Sequence, residues 1–87
     1  MHIVPTNRFI KKAARLPKNI REAYKERVQL FTSSPYDPLL NNHRLHGERR
    51  HQRSINITGD WRLIFEQYDA NTVRLIDIDT HPNLYGT

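Results

Sequence analysis

The chain has 87 residues, with 14 Lys and Arg against 9 Asp and Glu, a formal charge of +5. It contains no cysteine, which excludes disulfides, thiolate metal sites and a cysteine nucleophile, and no apolar run approaches the roughly 20 residues of a membrane helix. What remains is a single domain over residues 1–87, of a size that buries about 60–65% of its unfolded surface. Its cationic excess favours a polyanionic partner, nucleic acid ahead of membrane.

Met1-His2-Ile3-Val4 lacks the apolar core of a signal peptide and reads as a native first strand over His2 to Val4, stopped by Pro5. A reducing cytoplasm fits the absence of cysteine. Thr6 is placed to cap a helix from Asn7 to about Leu16, which Pro17 ends. Phe9, Ala13 and Leu16 share one face of it, while Lys11, Lys12 and Arg15 lie elsewhere on its surface. A longer helix runs from about Lys18 to Phe31. Its apolar seam is Ile20, Ala23, Tyr24, Val28 and Phe31, at helical spacing with Arg27. Joined through one proline, the two form an antiparallel hairpin.

Thr32 to Asn42 reads as a loop with turn signals at Ser34-Pro35 and Asp37-Pro38, pinned to the core by Leu39 and Leu40. Three strands follow as a meander: Ser54 to Ile57, Trp61 to Glu66 and Val73 to Ile78. Thr58-Gly59 is expected as a tight hairpin in which glycine supplies unusual backbone angles. Asp69-Ala70-Asn71 makes the second turn. The order β-α-α-β-β-β predicts an α+β fold, a helix hairpin on one face of a mostly antiparallel sheet. Strand alternation then turns Ile55, Ile57, Leu63, Phe65, Ile76 and Ile78 toward the helices. It leaves Ser54, Asn56, Arg62, Glu66, Leu75 and Asp77 on an open face.

Three blocks carry a resemblance. His43-x-Leu45-x-Gly47, then Gly59-Asp60-Trp61-Arg62-Leu63-Ile64-Phe65, then Thr80-His81-Pro82-Asn83-Leu84-Tyr85-Gly86, in this order and at this length, resemble toxins of the RelE/ParE superfamily. The closing Thr-His-x-x-Leu-aromatic-Gly is most similar to the YafQ branch. The resemblance implies the toxin of a bacterial type II toxin–antitoxin pair. Such a toxin is a metal-independent endoribonuclease that cuts mRNA on the ribosome, inhibits translation and is silenced by a cognate antitoxin. That antitoxin commonly carries a DNA-binding domain, so operator DNA is contacted only through it. No cofactor, metal or membrane is implied. By the same resemblance His43, Asp60, His81 and Tyr85 stand at active-site positions, and Arg62 at that of a phosphate-binding arginine. The chain departs from the family at Asn56, where a histidine is common, at Asp77, where an arginine is common, and at Asp79, a frequent glycine. These departures remove one titratable base and turn a cation into an anion. They keep open a rival reading: a ParE-like gyrase inhibitor, or a degenerate toxin that only binds its antitoxin.

The chemistry sets its own requirements. Cleavage of RNA without a metal needs a base for the 2′-OH proton, a cation for the phosphorane charge and an acid for the leaving 5′ oxygen. Histidine titrates near neutrality and arginine forks onto phosphate. His81 is the first candidate for acid or base, His43 its opposite partner, Arg62 the phosphate anchor, and Tyr85 a stacking or orienting group. Arg62 competes for a second role as a cross-strand ion pair with Asp77 or Glu66, and Asp60 for one as a turn residue. Arg44, Arg49, Arg50 and Arg53, with Lys11 and Lys12, form the expected RNA-binding footprint, and Asn56 a substrate-positioning amide. His43-x-x-His46 with His51 and His81 defines no metal site of preferred geometry.

Overall fold

The computed structural model describes residues 1–85; Gly86 of the closing block lies outside them. A five-stranded sheet in the order β1-β5-β4-β3-β2 forms the frame. Its strands are β1 (His2–Pro5), β2 (His43–Arg44), β3 (Arg53–Asn56), β4 (Trp61–Asp69) and β5 (Thr72–Thr80). β1 lies parallel to β5 and every other pairing is antiparallel. Between β1 and β2 come α1 (Asn7–Ala14) and α2 (Lys18–Ser33). The Phe9 and Tyr24 rings meet edge to face at 5.7 Å, and Arg21 donates to the carbonyls of Ala14 and Leu16. These contacts nest about Pro17, which makes the helices an antiparallel hairpin. Thr6 caps α1 by accepting from the Phe9 N–H, and its hydroxyl also donates to Leu75 O, tying the helix start to β5.

The helices bury their apolar stripes on the sheet. Phe9, Ala13, Leu16, Ile20 and Phe31 meet Ile55, Ile57, Leu63, Phe65, Val73, Leu75 and Ile78 in one core. Phe31 and Phe65 pack edge to face with centroids 4.8 Å apart, a geometry that adds to the gain from burial alone. Leu40 is fully buried on a short 3₁₀ turn, Pro38–Leu40, but Leu39 is 58% exposed, so only one of the two leucines pins this segment.

Several expectations are corrected. The β3–β4 turn spans Thr58, Gly59 and Asp60, with Thr58 Oγ1 accepting from the N–H groups of Asp60 and Trp61. Gly59 does not take a left-handed backbone there; Asn41 and Gly47 do. On β5 Ile64 pairs with Asp77 but Phe65 with Leu75, so Ile76 is an extra bulged residue. The bulge shifts the alternation. Leu75 therefore enters the helix-side core, while Ile76 is half-buried and outside it. Asp77 does not lie on an open face either; it is buried and its carboxylate is held by α1.

The other sheet face is not open. Ile64 and Ser54, cross-strand partners, are fully buried yet stand outside the helix-side core, as does the buried Leu45. A short helix, α3 (His81–Tyr85), follows β5 directly and packs back on it. The segment from Leu45 to Gln52, closed by a backbone bond from Leu45 N to Gln52 O, includes a 3₁₀ turn at Gly47–Arg49.

Candidate active site

A cleft of about 340 Å³ opens between β2, the Gly47–Arg49 turn and α3, lined by His43, Arg44, Leu45, His46, Arg49, His81 and Tyr85. Among the described residues its titratable lining is three imidazoles, two guanidiniums and one phenol, with no carboxylate.

His43 stands at the start of β2, where Asn41 adopts a left-handed backbone with φ of 46°. The His43 Nδ1 lies 2.8 Å from the Asn41 carbonyl oxygen. A carbonyl only accepts, so Nδ1 carries the proton and the Nε2 lone pair of the neutral ring is free. That is the tautomer a general base requires.

His81 opens α3, and its backbone N–H donates to the Asp60 carbonyl at 2.8 Å. The β3–β4 turn therefore sets where this helix begins. One helical turn on, Tyr85 meets the His81 ring edge-on at 4.5 Å, as residues four apart do on a helix. The Tyr85 hydroxyl is buried and has no hydrogen-bond partner among the described residues.

A charged clasp fixes α3 from the other side. Asp79 Oδ1 accepts from Asn83 Nδ2 at 2.9 Å and from the Thr80 N–H at 2.7 Å. Its other oxygen meets Lys12 Nζ at 2.8 Å, and Lys12 also reaches Asp77 Oδ1 at 2.6 Å. Arg8 adds a longer contact to Asp77 at 3.4 Å. Burial alone raises the Asp79 pKa, but the bonds from Lys12, Asn83 and the Thr80 backbone outweigh it and hold the carboxyl below its usual range. Burial likewise opposes the charge on Lys12, and its two carboxylate partners push its pKa up in net.

The structure gathers some of the expected residues and separates others. His43, His81, Tyr85, Arg44 and Arg49 share one cleft. Arg62 does not enter its lining. Its guanidinium donates to the carbonyls of Thr58, Gly59 and Trp61, and it pairs with neither Asp77 nor Glu66. Asp60 reaches His81 through its backbone, not its carboxylate. Asn56 lies on a separate shallow cleft beside Arg27 and Thr58, with its Oδ1 buried and unbonded. Lys12 is committed to its two aspartates, while Lys11 stays exposed on α1. Arg50 and Arg53 line a second cleft with Arg44. Sequence reasoning assigned no chemical role to His46 and did not find α3. Thr80 followed by Pro82 is a helix-start signal that foretells it.

The fold is that of the RelE-type toxins. The chain matches YafQ from E. coli strain BL21(DE3) with a TM-score of 0.81 at 20% identity, covering 97% of each chain. It matches a YoeB/ParE toxin from Agrobacterium tumefaciens at 0.77 and 18% identity, over 93% of this chain and 99% of the other. It also matches the E. coli DinJ–YafQ complex at 0.68 and 20% identity, over 97% of each chain. Among curated proteins none matches. The family described as "Bacterial toxin of type II toxin-antitoxin system, YafQ" matches residues 1–86, and the chain belongs to that family.

Proposed function

We propose that this toxin is a metal-independent, ribosome-dependent mRNA endoribonuclease, and that the cleft between β2 and α3 is where it cuts. The observation that carries the reading is the company of His43, His81 and Arg49 in one cleft that no carboxylate lines among the described residues. His43, with Nε2 unprotonated, takes the 2′-OH proton; the 2′ oxygen attacks phosphorus, and His81 protonates the departing 5′ oxygen. The products are a 2′,3′-cyclic phosphate and a 5′-hydroxyl, and no group outside the cleft is needed to balance the step. Arg49 and Arg44 face the charge that builds on the phosphorane, a task first expected of Arg62. Tyr85, its ring edge-on to His81, orients the phosphate or stacks on a base. The missing histidine at Asn56 and the acidic Asp77 do not undo this reading. Neither lines the cleft, and Asp77 serves the clasp behind α3. The ribosome supplies the strand in an attack-ready geometry, which is worth several kcal/mol of barrier.

A cognate antitoxin neutralises the toxin, as the complex of the E. coli relative with DinJ suggests, and contacts operator DNA on behalf of the pair. An apolar groove of about 580 Å³ beside β1, where Phe9, Ile10, Tyr24 and Val28 line the wall, gives such a partner surface to bury.

The test is induction in cells with mapping of mRNA 5′ ends by primer extension, His81→Ala alongside. New ends inside translated codons that vanish in a folded His81→Ala protein are expected. Growth arrest with DNA-damage signalling and no new ends points instead to a gyrase inhibitor. A folded His81→Ala variant with full toxicity overturns the assignment.

A further inference from the structure

A second cleft of about 330 Å³ is lined by Arg44, Arg50, His51, Arg53 and Gln67, and shares Arg44 with the first. We propose that it is a separate phosphate subsite, which grips the backbone of the single-stranded RNA substrate next to the phosphodiester being cut. The proposal rests on the nuclease reading for the identity of the strand.

Its geometry is hard to explain as a product of folding alone. Arg44 and Arg53 are directly opposed across the β2–β3 pair. Like charges at opposed positions destabilise an antiparallel ladder, and β2 is an edge strand of only two residues. Among the described residues no carboxylate forms an ion pair with Arg44, Arg50 or Arg53. The chain has acids to spare: Glu48 sits in the same segment and makes no such pair. An anion held between the guanidiniums relieves the repulsion.

The site is also built in advance. Arg53 is half-buried, its Nε donates to Asn42 Oδ1 at 2.8 Å, and a terminal nitrogen lies 3.4 Å from the Asn42 carbonyl oxygen. Its guanidinium lies 5.8 Å from the centre of the exposed Tyr36 ring. An arginine fixed on one edge presents its remaining N–H groups with little rotamer entropy left to lose. Arg44 lines both clefts, which places the second beside the first. The chemistry selects a phosphodiester and reads no base, because guanidiniums on phosphate carry no sequence information.

The probe is a 2′-O-methyl RNA strand, which no 2′-OH attack can cleave, measured by fluorescence anisotropy with the purified chain across a salt series. Two lengths are used: a tetranucleotide that fills only the first cleft and a dodecanucleotide that spans both. Arg50 is exposed and makes no side-chain ion pair among the described residues, so Arg50→Gln is expected to leave the fold intact. It is expected to weaken the long strand about fivefold and lower the steepness of its log–log salt dependence by about 0.7. The tetranucleotide is expected to bind as before, and Arg50→Lys to restore most of the loss. Equal loss on both lengths overturns the proposal, since Arg50 then serves the first cleft. Unchanged strand binding with weakened binding to ribosomes overturns it in favour of ribosomal RNA. No change anywhere overturns it outright. The strand has no 2′-OH to attack, so its binding is read independently of cleavage, and a failure of the nuclease reading leaves this result standing.

Discussion

Two groups of cations in this chain have opposite fates. On α1, Lys12 and Arg8 are consumed by Asp77 and Asp79 behind α3. At the sheet edge, Arg44, Arg49, Arg50 and Arg53 have no anion of their own among the described residues. Paired charges with one buried member hold elements in register, and losing either partner is costly. Unpaired charges at a cleft rim contribute little to the fold and leave their field available to a ligand. Net charge counts every cation, but only those the fold leaves unpaired are available to a ligand.

The largest expected effect separates chemistry from stability. His81→Ala should reduce mRNA cleavage about 10²–10⁴-fold, measured by the yield of new 5′ ends. Its melting temperature should stay near that of the wild type, since the ring packs on Tyr85 and the anchoring bond to Asp60 comes from the backbone.

Asp77→Ala should do the reverse. It strips a buried carboxylate from Lys12 and Arg8 and should cost about 2 kcal/mol in urea unfolding. That lies below the 3–5 kcal/mol of a fully buried pair, because Lys12 is partly exposed and keeps Asp79. A loss under a few tenths of a kcal/mol would put the clasp among ordinary surface pairs.

Asp79→Asn sharpens the same contrast through pH. The folded pKa of Asp79 lies below its unfolded value. Its stabilisation is thus fully present above the unfolded aspartate pKa of about 3.9 and fades as pH falls through the folded value. The gap in melting temperature between wild type and Asp79→Asn, worth about 1 kcal/mol at neutral pH, should close in acid. Lys12 has the opposite sign: with its pKa raised, its contribution is full below about 10.5 and is lost as pH climbs through the folded value. A gap constant from neutral pH into acid would show that the Asp79 charge does not matter.

The smallest effect belongs to the rim. Replacing Arg49 and Arg50 together by Gln should move stability by no more than about 0.5 kcal/mol, while RNA binding weakens and loses part of its salt dependence. A clearly destabilised double variant would mean these cations carry structural work after all.

Much of the fold was legible because local patterns and the global structure agree. Thr6 reads as a cap and is one; Pro17 divides two helices; Ile55, Leu63 and Phe65 alternate toward the same core. The readings failed where one residue changed the phase. The bulge at Ile76 carried Leu75 inward, and nothing in Val73 to Ile78 announces it. The lining of the candidate cleft was partly legible in the same way. His43, His81 and Tyr85 were named from motif positions and share a cleft, whereas Arg62, expected on phosphate, caps a hairpin turn through its carbonyls.

Composition and periodicity by themselves determined a single basic α+β domain, its helix hairpin, its meander and the residue types available for proton transfer and phosphate binding. These follow from local preference and alternation, which operate over a few residues and are written in order along the chain. Only the tertiary structure decided which charges cancel. Lys12 and Asp79 lie 67 positions apart, and Arg44 opposes Arg53 only once β2 has found its register on β3. Such pairings depend on how distant segments close on one another, and no short stretch of sequence holds that information.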